Sequence, residues 1–492
     1  MKQLVAALVC CFVTINLFSQ VPDVKPHMYK KDVYFLASDE LEGRKTGEQG
    51  NLVAARYIAE SFRALGLQSP EGVEDYYQKI TFDNTKPAET AMLTLRDTTL
   101  THGDQILFMG GKEDYITGEL VFVDMGWIND TINHYEGIDL NGKIAVALFG
   151  VPGSTDPRDG FRGMADKKKW AEENGAAGLI EIYSGGFPWN IIKRFFNREQ
   201  TLINDSQSPS NPEFQHIISD FKFTNELASL KDGDKVEVVL ESSGVQVEST
   251  FSPNVIGWLE GTDPEMKDEY IILSAHFDHV GVDRRGNNED KIYNGARDNA
   301  VGTSAILAAA RHFSENRPKR SILFIAFAAE EIGLLGSDFY VDHPVKPLNK
   351  AIFNMNIDGA GYNDTTRVTV IGYERVGVKE IFDEATAAVG LTAYGDTAPE
   401  QGLFDRSDNV NFAKVGIPAP TYSLGFTAFD AEINKYYHKT SDNPDNLNYE
   451  YILKYVQSYI YTAREIANLK EAPQWQEGDK YEAAYKKLYN MP

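Results

Sequence analysis

Short apolar runs alternate with amphipathic helical patterns from about residue 252 to residue 468. Runs such as "YIILSA", "SILFIAFAA" and "IFNMNI" do not alternate with polar residues and are too short for helices. They are typical of strands that are buried on both faces of a parallel sheet. The segments between them, such as "AVGTSAILAAARHFSEN", have apolar residues at helical spacing. This alternation predicts a doubly wound α/β domain with a mixed, mostly parallel sheet and helices on both faces.

The pattern changes between about residues 112 and 245. "GELVFVDMG" and "GKIAVALFG" predict strands, and "DKKKWAEENGAAGLIEIYS" predicts a helix, a turn and another strand. We therefore expect a separate, mostly β module at 112–245. It would be inserted into a domain formed by 21–111 and 246–492, because the first of these segments has too few strands for its own core. The lysines at 167–169 are expected on a solvated helix face.

Residues 1–20 have the pattern of a secretory signal. One lysine is followed by the apolar stretch of "MKQLVAALVCCFVTINLFSQ", which is short for a transmembrane helix. We expect cleavage after Ser19 or Gln20, which would give a secreted or periplasmic chain with no transmembrane segment. Both cysteines, Cys10 and Cys11, lie in this segment, so the mature chain would have no disulfide. A lipid anchor is not expected, because the residues before Cys10 are large.

The composition narrows the possible partners. The net charge of −24 disfavours binding to nucleic acid or to anionic lipid. A chain of 492 residues is long enough for two or three domains. Nothing in the sequence indicates an oligomeric state.

Side chains that can bind metal follow three of the predicted strands, and two more stand in polar loops. The strand-end residues are His276, Glu330, Glu331 and Asp358, and the loop residues are Asp298 and His438. Ligands bind outside the carboxyl ends of strands in α/β sheets, so these side chains should converge on one crevice. Imidazole and carboxylate groups suit Zn²⁺. Two carboxylates directly after a buried strand also need a cation or a hydrogen-bond network.

Neighbouring residues suggest further roles in this site. Asp278 follows His276 by two positions and could accept its ring N–H. His279 should point the other way, so it is expected to support the site or to face substrate. Asp298 precedes a helix and could cap it or bridge two metals. Within the pair at 330–331, one glutamate could bind metal while the other activates water, and the spacing does not decide which.

Taken together, these motifs resemble the co-catalytic di-zinc aminopeptidases. The resemblance rests on "AHFDH", "GARDNAVG", "AAEEIGLLGS", "NIDGAG" and "YYHKTSDN", and it extends over nearly all of the mature chain. The family includes bacterial leucyl aminopeptidases and, more remotely, glutamate carboxypeptidase II and the glutaminyl cyclases. It implies the zinc exopeptidase fold. It also implies that the insert at 112–245 is a protease-associated domain, a module thought to restrict the substrate.

The resemblance implies two zinc ions per chain and assigns their ligands. His276 and Glu331 would bind different metals, and Asp298 would bridge them. Asp358 and His438 would complete the two sites.

The resemblance also assigns residues that act beside the metals. Glu330 would be the general base, and Asp278 would support a ligand. Tyr437 would hydrogen-bond the tetrahedral intermediate, although a packed aromatic beside Tyr436 remains an alternative. The peptide bond between Asp298 and Asn299 is expected to be cis.

The predicted function is hydrolysis of N-terminal residues from peptides by a secreted zinc aminopeptidase. A glutaminyl cyclase-like transferase is one alternative, but it would need one zinc, and five ligands favour two. A carboxypeptidase of the same superfamily would need several arginines near the ligands, where only Arg297 and Arg406 stand. A binding protein with a dead site would have lost ligands, and none is missing.

The expected signal can be tested by the mass of the exported chain. Expression in a secreting bacterial host should yield a protein that begins at Gln20 or Val21, as measured by intact-mass spectrometry. Leu8→Arg places a charge in the apolar stretch and should retain the chain inside the cell. Export of a chain that still begins at Met1, or one carrying lipid on a cysteine, would contradict this prediction.

Overall fold

The structure is a computed structural model that describes residues 21–204, 213–225, 227, 236–284 and 289–491. The expected signal at 1–20, with both cysteines, lies outside the described residues. Within the described ranges, no helix combines the length and the apolar character needed to cross a membrane.

Helices and strands alternate through much of the described chain. The strands are β1 (Tyr77–Lys86), β2 (Ala91–Leu95), β3 (Thr98–Thr101), β4 (Ile106–Gly110), β5 (Asp114–Phe122), β6 (Ile144–Leu148), β7 (Gly178–Tyr183), β8 (Gln200–Ile203), β9 (Gln215–Asp220), β10 (Val236–Ser242), β11 (Gln246–Leu259), β12 (Tyr270–His276), β13 (Ser321–Phe327), β14 (Ala351–Ile357), β15 (Arg367–Ile371), β16 (Thr392–Tyr394) and β17 (Thr421–Leu424). The α-helices are α1 (Pro26–Leu36), α2 (Gln49–Ala64), α3 (Pro157–Arg162), α4 (Met164–Glu173), α5 (Trp189–Phe196), α6 (Phe221–Thr224), α7 (Val301–Glu315), α8 (Leu335–Asp342), α9 (Lys379–Ala387), α10 (Asn409–Lys414), α11 (Ala431–Asn434), α12 (Tyr449–Asn468) and α13 (Glu482–Leu488).

The chain forms two compact units. The first contains the chain up to Ile80 and from Ser252 onward, and the second is Thr81–Phe251. The second unit extends beyond 112–245 at both ends, because β2, β3 and β4 hydrogen-bond into its own sheet. The boundary falls within the long strands β1 and β11.

The sheet of the first unit is mixed, and its centre is parallel. Its order is β16-β15-β17-β14-β12-β13-β11-β1. The pairs β13–β12, β12–β14 and β14–β17 are parallel, whereas β11–β13 and β15–β17 are antiparallel. Every residue of β12, β13 and β14 is buried, so both faces of the central sheet are covered. The predicted α/β fold class is confirmed.

Three helices contact the middle of this sheet. Both α7 and α12 pack against β12, and α10 packs against β14. Small residues such as Ala305 and Ala309 let α7 lie close to the strands, and almost all of its residues are buried. Several polar side chains inside the sheet hydrogen-bond to one another. Ser274 accepts a hydrogen bond from Asn354 at 2.9 Å and donates one to Asn356 at 3.1 Å.

The second unit has a mixed sheet of its own. Among the described residues its order is β3-β2-β10-β5-β6-β7-β9-β4. The centre from β5 to β9 is parallel, and the flanking pairs are antiparallel. The unit also contains α3 to α6, so it has more helix than a mostly β module would. The short strand β8 pairs with the Phe82–Thr85 part of β1.

One lysine of α4 that was expected on a solvated face belongs instead to a buried charged network. The solvated position predicted for Lys167 is wrong: its side chain is fully buried, forms an ion pair with Glu181 and donates to the Leu148 carbonyl at 2.8 Å. His216 Nε2 lies 3.0 Å from the other Glu181 oxygen. Burial alone would raise the pKa of Glu181, but Lys167 and His216 lower it. The sequence could not show this, because the packed face of α4 depends on β7.

Removing the buried cation should destabilise the protein strongly. Lys167→Met leaves the Glu181 carboxylate buried without its main partner, which typically costs about 3–5 kcal/mol in the free energy of unfolding. Lys169→Met alters an exposed side chain on the same helix and should stay within about 0.5 kcal/mol. Urea unfolding monitored by tryptophan fluorescence measures both. Equal losses in the two variants would show that the buried pair is not stabilising.

Candidate metal centre

The parallel register brings the strand-end residues to one edge of the sheet. His276 of β12 lies opposite Phe327 of β13, so the glutamates at 330–331 follow a few residues beyond the same edge. Ser274 lies opposite Asn356 of β14, which places Asp358 two residues further on. The convergence expected from the sequence therefore follows directly from strand pairing.

One group of ligand atoms surrounds His276. Its Nε2 lies 3.4 Å from Asp298 Oδ1 and 3.3 Å from Asp358 Oδ1. Ser407 donates a hydrogen bond of 2.6 Å to Asp358 Oδ2, which leaves Oδ1 facing His276. The backbone carbonyl of His276 accepts from Thr303 at 2.7 Å.

A second group shares Asp298 with the first. His438 Nε2 lies 3.1 Å from Asp298 Oδ2 and 3.1 Å from Glu331 Oε2. His279 joins this group, since its Nδ1 lies 2.6 Å from Glu331 Oε1. Within each group the possible ligand atoms lie within 4.8 Å of one another. Asp298 therefore presents one oxygen to each group, which is the arrangement that a bridging carboxylate needs.

The chemistry of the two groups fits divalent cations. Three carboxylates and three histidines meet in these groups, and nitrogen and oxygen donors of this kind bind Zn²⁺. Burial alone would lower the pKa of His438, but its hydrogen bonds with Asp298 and Glu331 raise it to about 10. Burial likewise opposes a positive charge on His276, yet Glu330 and Asp358 raise its pKa well above the ordinary range. The clustered carboxylates therefore require positive charge nearby, which either protonated histidines or metal ions can supply.

Asp278 organises the two glutamates. Its Oδ1 accepts from the backbone N–H of Glu330 at 3.1 Å, and its Oδ2 accepts from that of Glu331 at 3.3 Å. His276 Nδ1 lies 3.8 Å from this carboxylate and only 3.2 Å from the Asp278 backbone carbonyl. Burial raises the pKa of Asp278 to about 6, while the charge of His276 opposes that rise. The backbone carbonyl of Asp278 orients the His276 ring, and the Asp278 carboxylate fixes the backbone of both glutamates.

The adjacent glutamates have different surroundings. Both line the cavity beside the cluster, but among the described residues only Glu331 forms ion pairs with His279 and His438. Burial raises the pKa of Glu330 well above its ordinary value, His276 lowers it, and nearby carboxylates including Asp358 raise it again. Glu331 therefore lies within a ligand group, and Glu330 lies outside both groups.

A charged loop holds Asp298 in position. The peptide bond between Asp298 and Asn299 is cis, as predicted. Asp442 Oδ2 accepts from the backbone N–H groups of Arg297 at 2.8 Å and Asp298 at 3.3 Å. Asp442 Oδ1 pairs with the Arg297 guanidinium at 2.8 Å, and that guanidinium lies 3.7 Å from the centre of the Tyr436 ring. Arg297 is therefore committed to structure and does not face a substrate.

Sequence reasoning missed several supporting residues. Arg44 is buried and donates to the carbonyls of Phe277 at 2.7 Å, Asn294 at 2.6 Å and Gly295 at 3.0 Å. It thereby joins the end of β12 to the loop before Asp298. Burial lowers the pKa of Arg44 to about 10, against the raising effect of acids such as Asp278. "LEGRKTG" gave no local sign of this role, because three of its four carbonyl partners lie more than 200 positions away and the fourth is the nearby Leu36 carbonyl.

Ser407 and Asp408 were also missed, although "DRSDN" was visible. Asp408 is fully buried, and neither carboxylate oxygen has a hydrogen-bond partner among the described residues. Burial raises its pKa to about 7, and nearby carboxylates including Asp358 add to the rise while His276 opposes it. Asn409 donates to the carbonyls of Phe404 and Ala419, both at 3.2 Å, so it has a structural role.

A cavity of about 420 Å³ opens beside the cluster. Its polar side includes Glu330 and Tyr437, and its apolar wall includes Ile371, Leu403 and Phe426. The Tyr437 ring stacks on the His438 ring with centres 4.2 Å apart.

Tyr437 also carries a hydroxyl suited to donate a hydrogen bond. Arg406 lies 3.2 Å from this hydroxyl. Burial raises the pKa of Tyr437 above its ordinary value, with Asp298 adding to the rise, so the hydroxyl keeps its proton.

Comparison with known proteins finds a family match within the first unit. Residues 254–463 match the model of peptidase family M28. This segment is therefore similar to M28 peptidase domains, and M28 is the co-catalytic zinc family. The match supports the predicted family for this part of the chain.

Individual relatives are more distant. Aminopeptidase YwaD of Bacillus subtilis (strain 168) is 29% identical over 202 residues, which is 40% of this chain and 41% of the relative. A vacuolar membrane protease of Saccharomyces cerevisiae (strain ATCC 204508 / S288c) is 30% identical over 155 residues, which is 32% of this chain and 14% of the relative. The chain thus spans less than half the length of these curated relatives. A solved aminopeptidase from Aneurinibacillus sp. strain AM-1 has a TM-score of 0.51 and 23% identity over 92% of this chain and 95% of that chain, which shows a shared fold.

Proposed function

We propose that this protein is a secreted, two-zinc aminopeptidase that removes N-terminal residues from peptides. The observation that carries the proposal is the position of Asp298 between two ligand groups. His276 and Asp358 would hold one zinc ion, and Glu331 and His438 would hold the other. Zinc in such sites acts as a Lewis acid and makes water a better nucleophile.

Glu330 is suited to act as the general base. It lines the cavity beside the ligand groups and belongs to neither group. Its backbone is fixed by Asp278 at 3.1 Å, so its position beside the reacting atoms does not depend on a metal ligand. A proton taken from water by Glu330 could then pass to the leaving amine.

Tyr437 and Arg406 are placed to stabilise developing negative charge. Both line the cavity, and the protonated Tyr437 hydroxyl can donate a hydrogen bond to an oxyanion. The Arg406 guanidinium adds positive charge 3.2 Å from that hydroxyl.

The shape and charge of the cavity favour removal of one terminal residue. A volume of about 420 Å³ lies near the lower end of the range of about 300–1,000 Å³ typical of small-ligand sites, so the cavity takes only a short end of a peptide. The wall formed by Ile371, Leu403 and Phe426 favours an apolar first side chain. Since Arg297 pairs with Asp442, Arg406 is left as the arginine of the lining, which gives a carboxypeptidase little to bind a substrate carboxylate.

The second unit is proposed to be a protease-associated domain that limits substrate size. Support comes from the sequence segments "GKIAVALFG" and "ENGAAGLIEIYS", which form β6 and the α4–β7 connection of its mixed sheet.

Metal content and activity test the proposal together. The purified protein should contain two zinc ions per chain by elemental analysis, and His276→Ala or His438→Ala should each reduce this to about one, because they belong to different groups. His343→Ala removes an exposed histidine outside the cluster and should retain both ions.

The same preparation should hydrolyse leucine and phenylalanine nitroanilides faster than N-acetylated ones, and chelation should abolish this activity. Activity that survives chelation would refute the metallopeptidase. Release of pyroglutamate from N-terminal glutamine, or faster cleavage at carboxyl termini, would favour the alternative enzymes.

The two glutamates should differ in their effects on metal binding. Glu330→Gln keeps the shape and removes the base, so kcat should fall by roughly 10²–10⁴-fold while both metals stay bound. Glu331→Gln should weaken one metal site, with activity partly restored at high zinc. Measuring zinc content and kcat in both variants decides between them. If Glu330→Gln loses zinc while Glu331→Gln retains it, the assigned roles are reversed.

A further inference from the structure

The second unit contains a basic cavity that the peptidase chemistry does not use. It has a volume of about 210 Å³ and lies between the sheet and the helices α4 and α5. Apolar residues such as Phe108, Met164 and Phe196 form part of its wall, and Lys168, Arg198 and His216 provide basic groups. None of its lining residues within the described ranges carries a carboxylate.

Two cations at this cavity lack a carboxylate partner. Within the part of the chain that the structure describes, neither Lys168 nor Arg198 forms an ion pair. Lys168 Nζ lies 6.0 Å from the centre of the Phe214 ring, and burial lowers its pKa, while the charge of Glu172 on the same helix opposes that fall without forming an ion pair. The Arg198 guanidinium lies 4.8 Å from the Phe195 ring. The whole chain has a net charge of −24, so two cations without an ion pair make this cavity basic in an otherwise acidic protein.

The third basic group is held rigidly from behind. His216 is only 6% exposed, and its Nε2 lies 3.0 Å from Glu181 Oε1. Glu181 is in turn fixed by the buried Lys167. Lys168 follows directly on the same helix, and its Nζ and the His216 Cβ both lie 3.8 Å from the point where a side chain on Gly110 would begin. The buried network therefore sets the positions of two cavity residues.

We propose that this cavity binds a carboxylate attached to an apolar side chain, as at the C-terminal residue of a peptide or in an N-blocked amino acid. The cations would hold the carboxylate, and the aromatic and methionine wall would hold the side chain. The volume suits one residue and is below the range of about 300–1,000 Å³ typical of larger ligands. The site is separate from the peptidase centre and does not depend on the proposed function.

Titration of the full chain with N-acetyl-phenylalanine tests the site. Calorimetry should show binding of the acid, and N-acetyl-phenylalanine amide should bind at least about tenfold more weakly, because it lacks the charge. Acetyl-Ala-Ala-Phe, compared with its amide, shows whether a peptide C-terminus enters as well as a single residue. Inorganic phosphate should not compete, because it has no apolar part.

Variants locate the binding in the second unit. Lys168→Met and Arg198→Gln should each raise the Kd of the acid about tenfold. Lys169→Met changes the neighbouring exposed lysine and should leave the Kd unchanged. All three should retain the thermal unfolding midpoint and the rate of nitroanilide hydrolysis; Arg198 is exposed, so its variant remains informative if Lys168→Met is unstable.

Several outcomes would overturn the proposal. Equal affinity for acid and amide would exclude recognition of the carboxylate, and competition by phosphate would exclude the apolar requirement. Equal binding by the wild type and the Arg198→Gln variant, or competitive inhibition of nitroanilide hydrolysis by the probe, would place the ligand elsewhere.

Discussion

The concentration of carboxylates at the carboxyl edge of the central sheet is the constraint on which the site depends. Asp298, Glu331 and Asp358 lie among three histidines within a space of a few ångströms. Buried carboxylates this close repel one another unless positive charge lies between them. Asp298 belongs to both ligand groups, so the positive charge that the carboxylates require is divided between the two groups. Because these carboxylates need positive charge nearby, the cluster is better suited to bind a cation than to stabilise the fold.

Holding these charges in place requires backbone support from distant parts of the chain. Arg44 binds three carbonyls at the end of β12 and before Asp298, and Asp442 binds the backbone on the other side of that loop. Asp278 fixes the backbone of both glutamates. Each support is a charged group whose partners are mostly backbone atoms. The geometry of the centre therefore depends on residues that would not bind metal.

The second unit uses buried charge in a different way. The Lys167–Glu181–His216 network lies inside a sheet and helix core and is closed by one cation and one ring. Its charged groups pair with one another, whereas the buried Asp408 carboxylate beside the candidate metal centre has no hydrogen-bond partner among the described residues. At the edge of this network, Lys168 and Arg198 are left without carboxylates among the described residues. The paired charges of the network stabilise the fold, whereas the two cations without carboxylate partners leave the cavity able to bind an anion.

Local sequence determined the elements and the chemistry of the candidate site, and tertiary structure decided the pairings. Strand and helix periods predicted β12, β13, β14 and α7, because burial on both faces leaves a continuous apolar run. Ligand types at strand ends predicted a crevice, because parallel strands end at one edge.

The sequence did not reveal that the Asp278 carboxylate serves two backbone N–H groups or that Arg44 joins two segments, because hydrogen bonds to the backbone leave no residue pattern. It also placed Lys167 in solvent. The period of a helix shows which residues share a face, but only the packed sheet shows which face is buried.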